Sequence, residues 1–413
     1  TQSFGGQSQN GNNLGSLFSG ATRSRTSGGG AGYYGGATTW PGSWSAASGG
    51  GSGYIGGGNL SSRLSQAFTV CGENSNSHGY VKVIYMIDSD GDGIEDSDER
   101  ALGTSSSDAS DYPKYDFSDK VDEVISESSG LDSVEANLKV WLDGSNIDGF
   151  SNNTLTDGDS IELWKDLSGN YNNAYSMGSP SLGGNQIEFS GTDFFYIPDG
   201  SPAIDAYDIY VVIKPDLGSQ TEKGVIIGRP SSYKPYENFG LHILGASDNN
   251  KVQQSFDTGS GLTPITVDTA GNVLVDQQNN LISYSNSTSE AMTYINGSNR
   301  ASVTGFSSLH NSTRQILIGR TLNIFNVMQL QDMFYGEIAE IIIFDKVLTS
   351  DEKVKINYYL SKKWGLESVA DSDGDGHSDD TEETAGTSAL DASEFPRPDF
   401  SDSVDAQIGE ASG

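Results

Sequence analysis

Two stretches of the sequence place carboxylates at alternate positions of a short segment. Residues 88–99 read DSDGDGIEDSDE, and residues 371–382, which begin 283 positions later, read DSDGDGHSDDTE. Both carry acids at positions one, three, five and twelve and glycine at position six, which is the spacing of the oxygen ligands in a calcium loop. Glycine at the sixth position lets the backbone turn and point the carbonyl of the seventh residue at an ion.

The acids in such a loop need a counter-charge. Two unit charges about 4 Å apart repel by roughly 1 kcal/mol in water and about 4 kcal/mol in a partly buried site. The nearest bases, Arg100 and Lys114, are too few to neutralise them, whereas a divalent hard cation takes six to eight oxygens. The alternative is a solvated acidic linker. We predict Ca²⁺ as the cofactor, with these ligands: Asp88, Asp90, Asp92, Ile94 through its carbonyl, Asp96 and Glu99 in the first loop, and Asp371, Asp373, Asp375, His377 through its carbonyl, Asp379 and Glu382 in the second.

The duplication extends beyond the loops. Gly103-Thr104, Asp108, Pro113 and 116–119 reappear as Gly386-Thr387, Asp391, Pro396 and 399–402. The two segments resemble the bacterial form of the thrombospondin type 3 repeat, a family in which the chain wraps around calcium ions with little apolar core. The resemblance supports the ligands above and suggests a neighbouring ion at Asp108 with Asp116 and at Asp391 with Asp399. The family's usual Asp-Pro after Gly-Thr is here Ser-Ser and Ser-Ala, a departure that bears on the second ion only.

Composition narrows the class of protein. The 413 residues carry a formal net charge of −33 with a pI near 4.2, which argues against nucleic acid or anionic membranes as partners. A single cysteine, Cys71, excludes an intrachain disulfide framework. No apolar run reaches the length of a membrane-spanning helix, and no signal peptide opens the chain. Because the first residue is Thr1 and not methionine, we interpret the chain as a mature or cleaved piece. Calcium is millimolar outside cells, so we expect an extracellular or cell-surface protein.

Residues 1–87 are dominated by glycine, serine, asparagine and threonine, with aromatic residues such as Tyr33, Trp40 and Tyr54 among the glycine runs. One interpretation is a flexible linker. The other is an ordered domain, because the pattern resembles the glycine-rich domains of some surface receptors and phage adhesins, in which glycine segments bundle as polyproline-II-like helices. Residues 79–87 alternate and are predicted to be its last strand.

Short apolar runs separated by Asn, Asp, Gly and Ser fill residues 131–367. Strands are predicted at 209–214, 224–228, 292–297, 316–319 and 337–344. Many short strands without alternating helices predict a mainly β fold, an antiparallel two-sheet jelly-roll sandwich. One helix follows: Thr349 and Glu352 form a capping box and Gly365 ends it, with Val354, Tyr358 and Leu360 expected to face the sandwich.

The segments 138–143, 163–170, 189–194 and 336–345 are similar to the concanavalin A-like, laminin-G-type jelly roll of bacterial surface proteins. That resemblance implies a concave face or rim loops that often bind glycans. Exposed aromatic residues are the usual glycan platform, and Tyr233 and Tyr236 in a loop-like segment are the candidates. Trp141 and Trp164 stand in apolar surroundings and are expected in the core.

A glycosidase of this fold would place two acids on one face of a strand. The nearest pair, Glu337 and Glu340, is three residues apart, so the side chains are expected on opposite faces. His78, His242, His310 and His377 are scattered without a nucleophile beside them and are expected to be surface or loop residues. We therefore predict no catalytic residues.

The predicted domains are a glycine-rich domain (1–87), a calcium repeat (88–130), a sandwich (131–367) and a second calcium repeat (368–413). Both repeats close on a similar segment, which favours a tandem array in a longer surface fibre. The leading hypothesis is a non-enzymatic, calcium-stabilised structural and adhesive protein of a filament, stalk or fibre, with copies associating through edge strands. The alternative is a carbohydrate-binding lectin with the repeats as spacers, and a polysaccharide-degrading enzyme ranks last.

Overall fold

The computed structural model describes residues 87, 89–90, 96, 99–100, 103–108, 111, 115–153, 155–198, 206–230, 237–258, 264–306, 312, 314–322 and 330–397. The chain divides into two compact units, residues 1–113 and residues 114–413. The predictions for the glycine-rich domain and its closing strand, apart from Ile87, lie outside the described residues. So do Asp88, Asp92, Ile94, Asp399, Tyr233 and Tyr236.

The described part of unit 114–413 is mainly β. Its strands are β1 (Leu138–Asp143), β2 (Leu163–Trp164), β3 (Ala174–Met177), β4 (Ser181–Gly183), β5 (Gln186–Ser190), β6 (Phe194–Ile197), β7 (Tyr207–Pro215), β8 (Gly224–Pro230), β9 (Glu237–Ile243), β10 (Val252–Phe256), β11 (Ile265–Asp268), β12 (Asn280–Asn286), β13 (Glu290–Ile295), β14 (Ser298–Thr304), β15 (Ile316–Ile318), β16 (Thr321–Leu322), β17 (Leu330–Gln331) and β18 (Tyr335–Phe344). The helices are α1 (Phe117–Ile125), α2 (Ser350–Trp364) and α3 (Asp379–Ala385), with 3₁₀ turns at Leu131–Asn137, Gly144–Asn146 and Ala246–Asp248.

Two antiparallel sheets form the sandwich. The first has the strand order β14-β13-β12-β7-β18-β5-β4, and β1 pairs with the second half of β18. The second has the order β11-β10-β9-β8-β15-β6-β3-β2. The sequence prediction of a two-sheet jelly-roll sandwich is confirmed.

The space between the sheets holds the larger core. Alternate residues of β7 and β12, such as Ile209, Val211 and Ile282, point inward and are fully buried with Phe195 and Leu241 of the opposite sheet. This alternation is what strands with two packed faces require. Trp164 lies in this core and is 0% exposed.

Helices cover the outer face of the first sheet and form a second core. Tyr210, Val212 and Ile342 of the sheet pack there with Phe117 of α1 and Ile356 of α2. Trp141 belongs to this outer core, so both predicted core tryptophans are buried. Within the described residues, no helix is long and apolar enough to span a membrane.

Helix α2 begins and ends where its caps predict. The Thr349 side chain accepts a hydrogen bond from Glu352 N, and the Glu352 side chain accepts one from Thr349 N. Gly365 ends the helix with φ of 68°. Of the residues predicted to face the sandwich, Leu360 is buried, Tyr358 is half-buried and packs against the outer core, and Val354 is half-buried. The helix also buries Ile356 and Tyr359. The apolar residues of this helix are compatible with more than one buried face, and contact with α1 and the sheet determines which face is buried.

A β-bulge in β18 corrects the prediction for its two glutamates. The register with β7 shifts between Ile338 and Glu340, which inserts one extra residue. Ile338 and Ile341 both point into the inter-sheet core, so Glu337 and Glu340 share the outer face. Glu337 pairs with Lys214 at 2.7 Å, whereas Glu340 is buried.

Candidate metal site

The second acidic loop is fastened to the sandwich at its first residue. Asp371 N donates to Asn296 O at 3.1 Å, in the two-residue turn between β13 and β14. Asn296 and Gly297 have φ of 50° and 79°, and positive values at both positions are what a type I′ hairpin turn requires. A Cβ atom on Gly297 would collide with the Asp371 carbonyl oxygen, so the close approach of the loop needs glycine there.

Three aspartates converge in the loop. Asp371, Asp373 and Asp375 each offer a carboxylate oxygen, and these oxygens lie within 4.8 Å of one another. The loop's own backbone holds Asp371 in place, because Gly374 N donates to Oδ1 at 2.8 Å and Gly376 N to Oδ2 at 3.1 Å. Burial and neighbouring carboxylates raise the pKa of both Asp371 and Asp373.

Glu382, the acid at position twelve, lies on helix α3 outside that group of three, but close enough for the charges of Asp373 and Asp375 to act on its carboxyl. It is 0% exposed, and among the described residues no donor pairs with either Oε1 or Oε2. Asp373 Oδ2 and Asp375 Oδ2 are likewise buried without a hydrogen-bond donor. Burial, followed by the charges of Asp373 and Asp375, raises the pKa of Glu382 to about 8. Buried charge without a partner is costly, so this arrangement favours a bound cation.

The donor set fits a hard cation. The converging side chains offer only carboxylate oxygens, which suit calcium, magnesium or manganese, not metals that prefer thiolate or imidazole. The one imidazole nearby, His377, has Nδ1 3.2 Å from Asp375 Oδ1 and its ring stacked on Phe395 at 6.0 Å. Its side chain therefore braces a carboxylate, and its backbone carbonyl remains the predicted ligand.

Asp379 has a different role from the other predicted ligands. Its Oδ1 accepts from Ser372 N and its Oδ2 from Ser372 Oγ, both at 2.9 Å. Both side chains are buried, and burial raises the pKa of Asp379 to about 6. Ser372 stands between two converging aspartates, so this contact fixes the loop's curvature. Sequence reasoning missed Ser372, although serine at position two of both acidic stretches signals it.

The described residues of the first repeat have the same internal bonds. Ser89 N and Ser89 Oγ donate to Asp96 Oδ1 and Oδ2, both at 2.7 Å, as Ser372 does to Asp379. Thr104 N donates to Glu99 O at 2.9 Å and Thr387 N to Glu382 O at 3.0 Å. Glu99 is 0% exposed, as Glu382 is. The described residues of the two repeats therefore share these contacts.

The weaker candidates take structural positions. Asp116 caps α1 by accepting from Asp119 N, and this hydrogen bond, with a side-chain bond to Glu135, lowers the pKa of Asp116. Asp391 is exposed and accepts from Ser393 N at 3.0 Å. Asp108 N donates to Ser105 O at 3.2 Å, the same turn that Asp391 N makes with Ser388 O. None of them belongs to the converging group of described carboxylates.

A small cavity lies under helix α2. It measures about 30 Å³ and is lined by Asp208, Ser285, Lys353 and Asn357, among others. Lys353 Nζ donates to Ser285 Oγ at 2.9 Å and lies 3.5 Å from Asp208 Oδ2. A lysine beside a serine recurs in some hydrolases, but this volume holds about one water molecule and no substrate.

The histidine prediction needs one correction. His242 lies in strand β9 and is 0% exposed, not on the surface or in a loop. Burial lowers the pKa of His242 well below its ordinary value. His377 lies in the acidic loop, whereas His78 and His310 fall outside the described residues.

Comparison with known proteins supports the fold. Residues 189–352 match the model of the Laminin_G_3 family, described as the concanavalin A-like lectin/glucanases superfamily. No curated protein matches the chain.

Several solved structures are similar to parts of this chain at low identity. A CBM40 domain of a Ruminococcus gnavus IT-sialidase, bound to alpha2,3 sialyllactose, is 17% identical, with 36% of this chain and 80% of that one covered and a TM-score of 0.31. Domain 4 of the Geobacillus stearothermophilus arabinanase AbnA, in complex with arabinotriose, is 16% identical, covering 52% and 94%, with a TM-score of 0.33. Domains LG4-5 of the mouse laminin alpha1 chain are 15% identical, covering 40% and 44%, with a TM-score of 0.31.

Proposed function

We propose that the loop from Asp371 to Glu382 binds a calcium ion, and that the protein is an extracellular, calcium-stabilised structural and adhesive protein, a segment of a surface filament, stalk or fibre. One observation carries the ion: Glu382 is fully buried with both carboxylate oxygens unpaired among the described residues, and the charges of the converging Asp371, Asp373 and Asp375 act on its carboxyl. A cation at their centre removes the mutual repulsion that raises the pKa of Glu382.

Calcium suits the site better than magnesium. Calcium accepts six to eight oxygens at flexible geometry and tolerates a two-oxygen glutamate, whereas magnesium demands a near-ideal octahedron and keeps several waters. The two glycines, with φ of 81° at Gly374 and 101° at Gly376, let the loop wrap an ion closely. The chain's own residues thereby supply carboxylates from two sides, the loop and helix α3.

The ion would stabilise the sandwich as well as the loop. The loop is bonded to the β13–β14 turn through Asn296, and helix α3 is bonded to α2 through Glu383, which accepts from Lys362 at 2.8 Å and from Tyr358 at 2.7 Å. A ligand that binds only the folded state raises its stability by mass action. Two elements of the sandwich therefore gain from calcium.

Calorimetric titration and thermal melting of the full chain test the proposal. Calcium should raise the melting temperature, and Asp375→Asn should remove most of that rise by deleting a converging charge. Asp380→Asn is the matched control, because it removes one carboxylate of the same repeat, at an exposed position on helix α3. Equal melting temperatures in calcium and in chelator would reject structural calcium.

The proposed role is non-enzymatic. Glu340 accepts hydrogen bonds from Trp141 Nε1, Tyr359 Oη and Trp364 Nε1 at 2.8, 2.8 and 2.7 Å, and it is buried, so both of its carboxylate oxygens are already engaged. The carboxylate pair that a glycosidase of this fold requires is therefore not formed by these two residues.

Glycan binding by the sandwich is a second candidate function. The match of residues 189–352 to a family described by its lectins and glucanases favours it. A glycan array probed with the full chain, in millimolar calcium and in chelator, tests this candidate, and substitution of Tyr233 and Tyr236 would follow a positive result. No glycan binding under either condition would leave the sandwich as a structural module.

A further inference from the structure

Three charged side chains meet in the interior where strand β1 ends. Lys363 lies in the last turn of helix α2, with its Nζ 2.6 Å from Asp143 Oδ2 and 2.8 Å from Glu340 Oε2. The side chains of Lys363, Asp143 and Glu340 are 9%, 3% and 0% exposed. We call these three residues the buried triad.

The two carboxylates of the buried triad repel each other. Asp143 and Glu340 are direct partners in the ladder between β1 and β18, and such partners have Cβ atoms about 4.5–5.5 Å apart. One ammonium group therefore serves two acids in a site with little water, where unpaired charge is costly. Joining Lys363 to one acid as a neutral amide removes one positive and one negative charge from the interior.

The contacts of the two acids differ in a way that distinguishes their roles. Asp143 Oδ1 accepts from Ser145 N at 2.8 Å and from Ser145 Oγ at 2.7 Å. These two donors polarise the carbonyl as an oxyanion hole does, while Oδ2 faces the amine. Glu340 is instead held by three aromatic donors, which are Trp141 Nε1, Tyr359 Oη and Trp364 Nε1. Asp143 is thus the acid prepared for attack, and Glu340 is the acid fixed beside it.

We propose that Lys363 and Asp143 condense to an intramolecular isopeptide bond, with Glu340 transferring the protons. One ammonium proton passes from Nζ to Glu340 and on to Asp143 Oδ2, which leaves a neutral amine beside a carboxylic acid. The amine attacks Cγ, and Ser145 stabilises the charge that develops on Oδ1. Glu340 moves a second proton from Nζ to Oδ2, the Cγ–Oδ2 bond breaks, and Oδ2 leaves as water. The third proton stays on the amide nitrogen, so no other reactant is needed.

The protonation of the buried triad sets the pace of this reaction. Burial raises the pKa of Glu340, which suits a group that carries a proton within the site. Burial acts to lower the pKa of Lys363, but the charges of Glu340 and Asp143 outweigh it, so the neutral amine is the minor form and the reaction is slow. It needs to occur only once in each molecule, between groups whose positions are fixed by the fold.

The bond ties helix α2 to strand β1, across 220 positions of the chain. Strands β2 to β18 all lie within the loop that it closes. A cross-link over such a loop stabilises the fold by restricting the unfolded chain, as a disulfide does. The proposal rests on the contacts of the buried triad and is independent of ion binding.

Mass spectrometry of the denatured full chain tests the proposal without any substitution. We expect the wild type to be lighter than its sequence by one water molecule. Proteolytic digestion should release a branched peptide that joins the segments around Asp143 and Lys363. A wild-type chain that keeps its full sequence mass after incubation of the folded protein would overturn the proposal.

Lys363→Met localises the loss of water. This variant should have its full sequence mass, whereas Lys362→Met, changed one residue earlier, should lose water as the wild type does. Asp143 precedes Gly144, and an Asp-Gly pair can also lose water by closing to a succinimide. That product needs no lysine, so a loss of water that persists in Lys363→Met would rule out the isopeptide bond.

Glu340→Gln and Ser145→Ala test the two assisting roles. Glu340→Gln keeps the size of the side chain but cannot carry the proton, and Ser145→Ala removes one of the two donors to Asp143 Oδ1 at a half-buried position. In each variant the dehydrated fraction should rise more slowly than in the wild type, by roughly a hundredfold. Circular dichroism checks that both variants fold. Folded variants that lose water as fast as the wild type would contradict the assisted condensation.

Discussion

Lys363 Nζ lies 2.8 Å from Glu340 Oε2, and the two side chains are 9% and 0% exposed. The pair joins helix α2 to the bulge of strand β18, and Asp143 Oδ2 lies 2.6 Å from the same nitrogen. Burial acts to lower the pKa of Lys363, but the charges of Glu340 and Asp143 outweigh it and raise that pKa. The bulge that brings Glu340 to the outer face thus allows a buried salt bridge between the sheet and its covering helix.

Lys363→Met should destabilise the fold by about 3–5 kcal/mol, because it leaves two carboxylates buried without their cation. Lys362→Met is the matched control one residue earlier. Its partner Glu383 is 38% exposed, so the loss should be about 1 kcal/mol or less. Denaturant unfolding measures both values. Equal losses of unfolding free energy in the two variants would contradict the burial of the Lys363 salt bridge.

Glu382→Gln tests the charge of Glu382 at the candidate calcium site, because glutamine keeps the volume of the side chain and removes its charge. In chelator the variant should melt higher than the wild type at pH 9, because it removes a buried charge while keeping the side chain's volume. In calcium the order should reverse, since the variant loses a charged ligand. A variant that gains as much from calcium as the wild type would contradict a ligand role for Glu382.

The cation-free wild type should lose stability as pH rises. The pKa of Glu382 is about 8 in the folded protein against an ordinary 4.5, so the folded state holds a proton that the unfolded chain releases. Stability therefore falls from about pH 4.5 to pH 8 and stays low above it. Asp379, at about 6 against 3.8, acts in the same direction over a lower range. Melting in chelator at pH 6 and pH 9 checks this, and Glu382→Gln should flatten the upper part of the curve.

Gly297→Ala should weaken the attachment of the acidic loop to the sandwich. The new Cβ meets the Asp371 carbonyl oxygen, so the loop must move, and we expect a loss of roughly 2–4 kcal/mol with a smaller stabilisation by calcium. Gly305→Ala is the control, because φ is 93° there but no atom lies within 4 Å of the added Cβ. It should show only the backbone strain, about 1 kcal/mol, with an unchanged response to calcium.

Ser372→Ala should lower calcium affinity without touching a ligand. The substitution removes the Oγ donor to Asp379 Oδ2 and keeps the bond from Ser372 N to Oδ1, at a cost of about 1–2 kcal/mol. Ser378→Ala, whose hydroxyl contacts Thr381 on the exposed side, serves as the control. An unchanged affinity in Ser372→Ala would mean that Asp379 does not shape the loop.

Local signals predicted much of this fold, and long-range pairing decided the rest. The apolar runs at β7, β8, β15 and β18 and the caps of α2 are written in adjacent residues, so they could be located from sequence. The bulge at Ile338 depends on how β18 meets β7, which no local pattern contains. Helix α1 was not predicted, because its short apolar stripe becomes stable only against the outer core that includes Trp141, Phe344 and Tyr359.

In the candidate site, too, local sequence identified some features and three-dimensional contacts decided the others. Regular spacing located Asp371, Asp373, Asp375 and Glu382, whose role as calcium ligands remains a prediction. The same spacing also included Asp379, and only the three-dimensional arrangement shows its carboxylate bonded to Ser372. Spacing indicates which residues can reach a point, whereas hydrogen-bond partners decide which of them are already engaged.

The bond from Asp371 N to Asn296 O has a mechanical consequence. Tension applied to the chain beyond helix α3 does not peel a single strand from the sheet. It acts at once on the turn of the β13–β14 hairpin and, through Glu383, on helix α2, so several contacts share the load in parallel. In a stalk or fibre under flow, the attachment of this acidic loop to the sandwich would set how much force each module withstands.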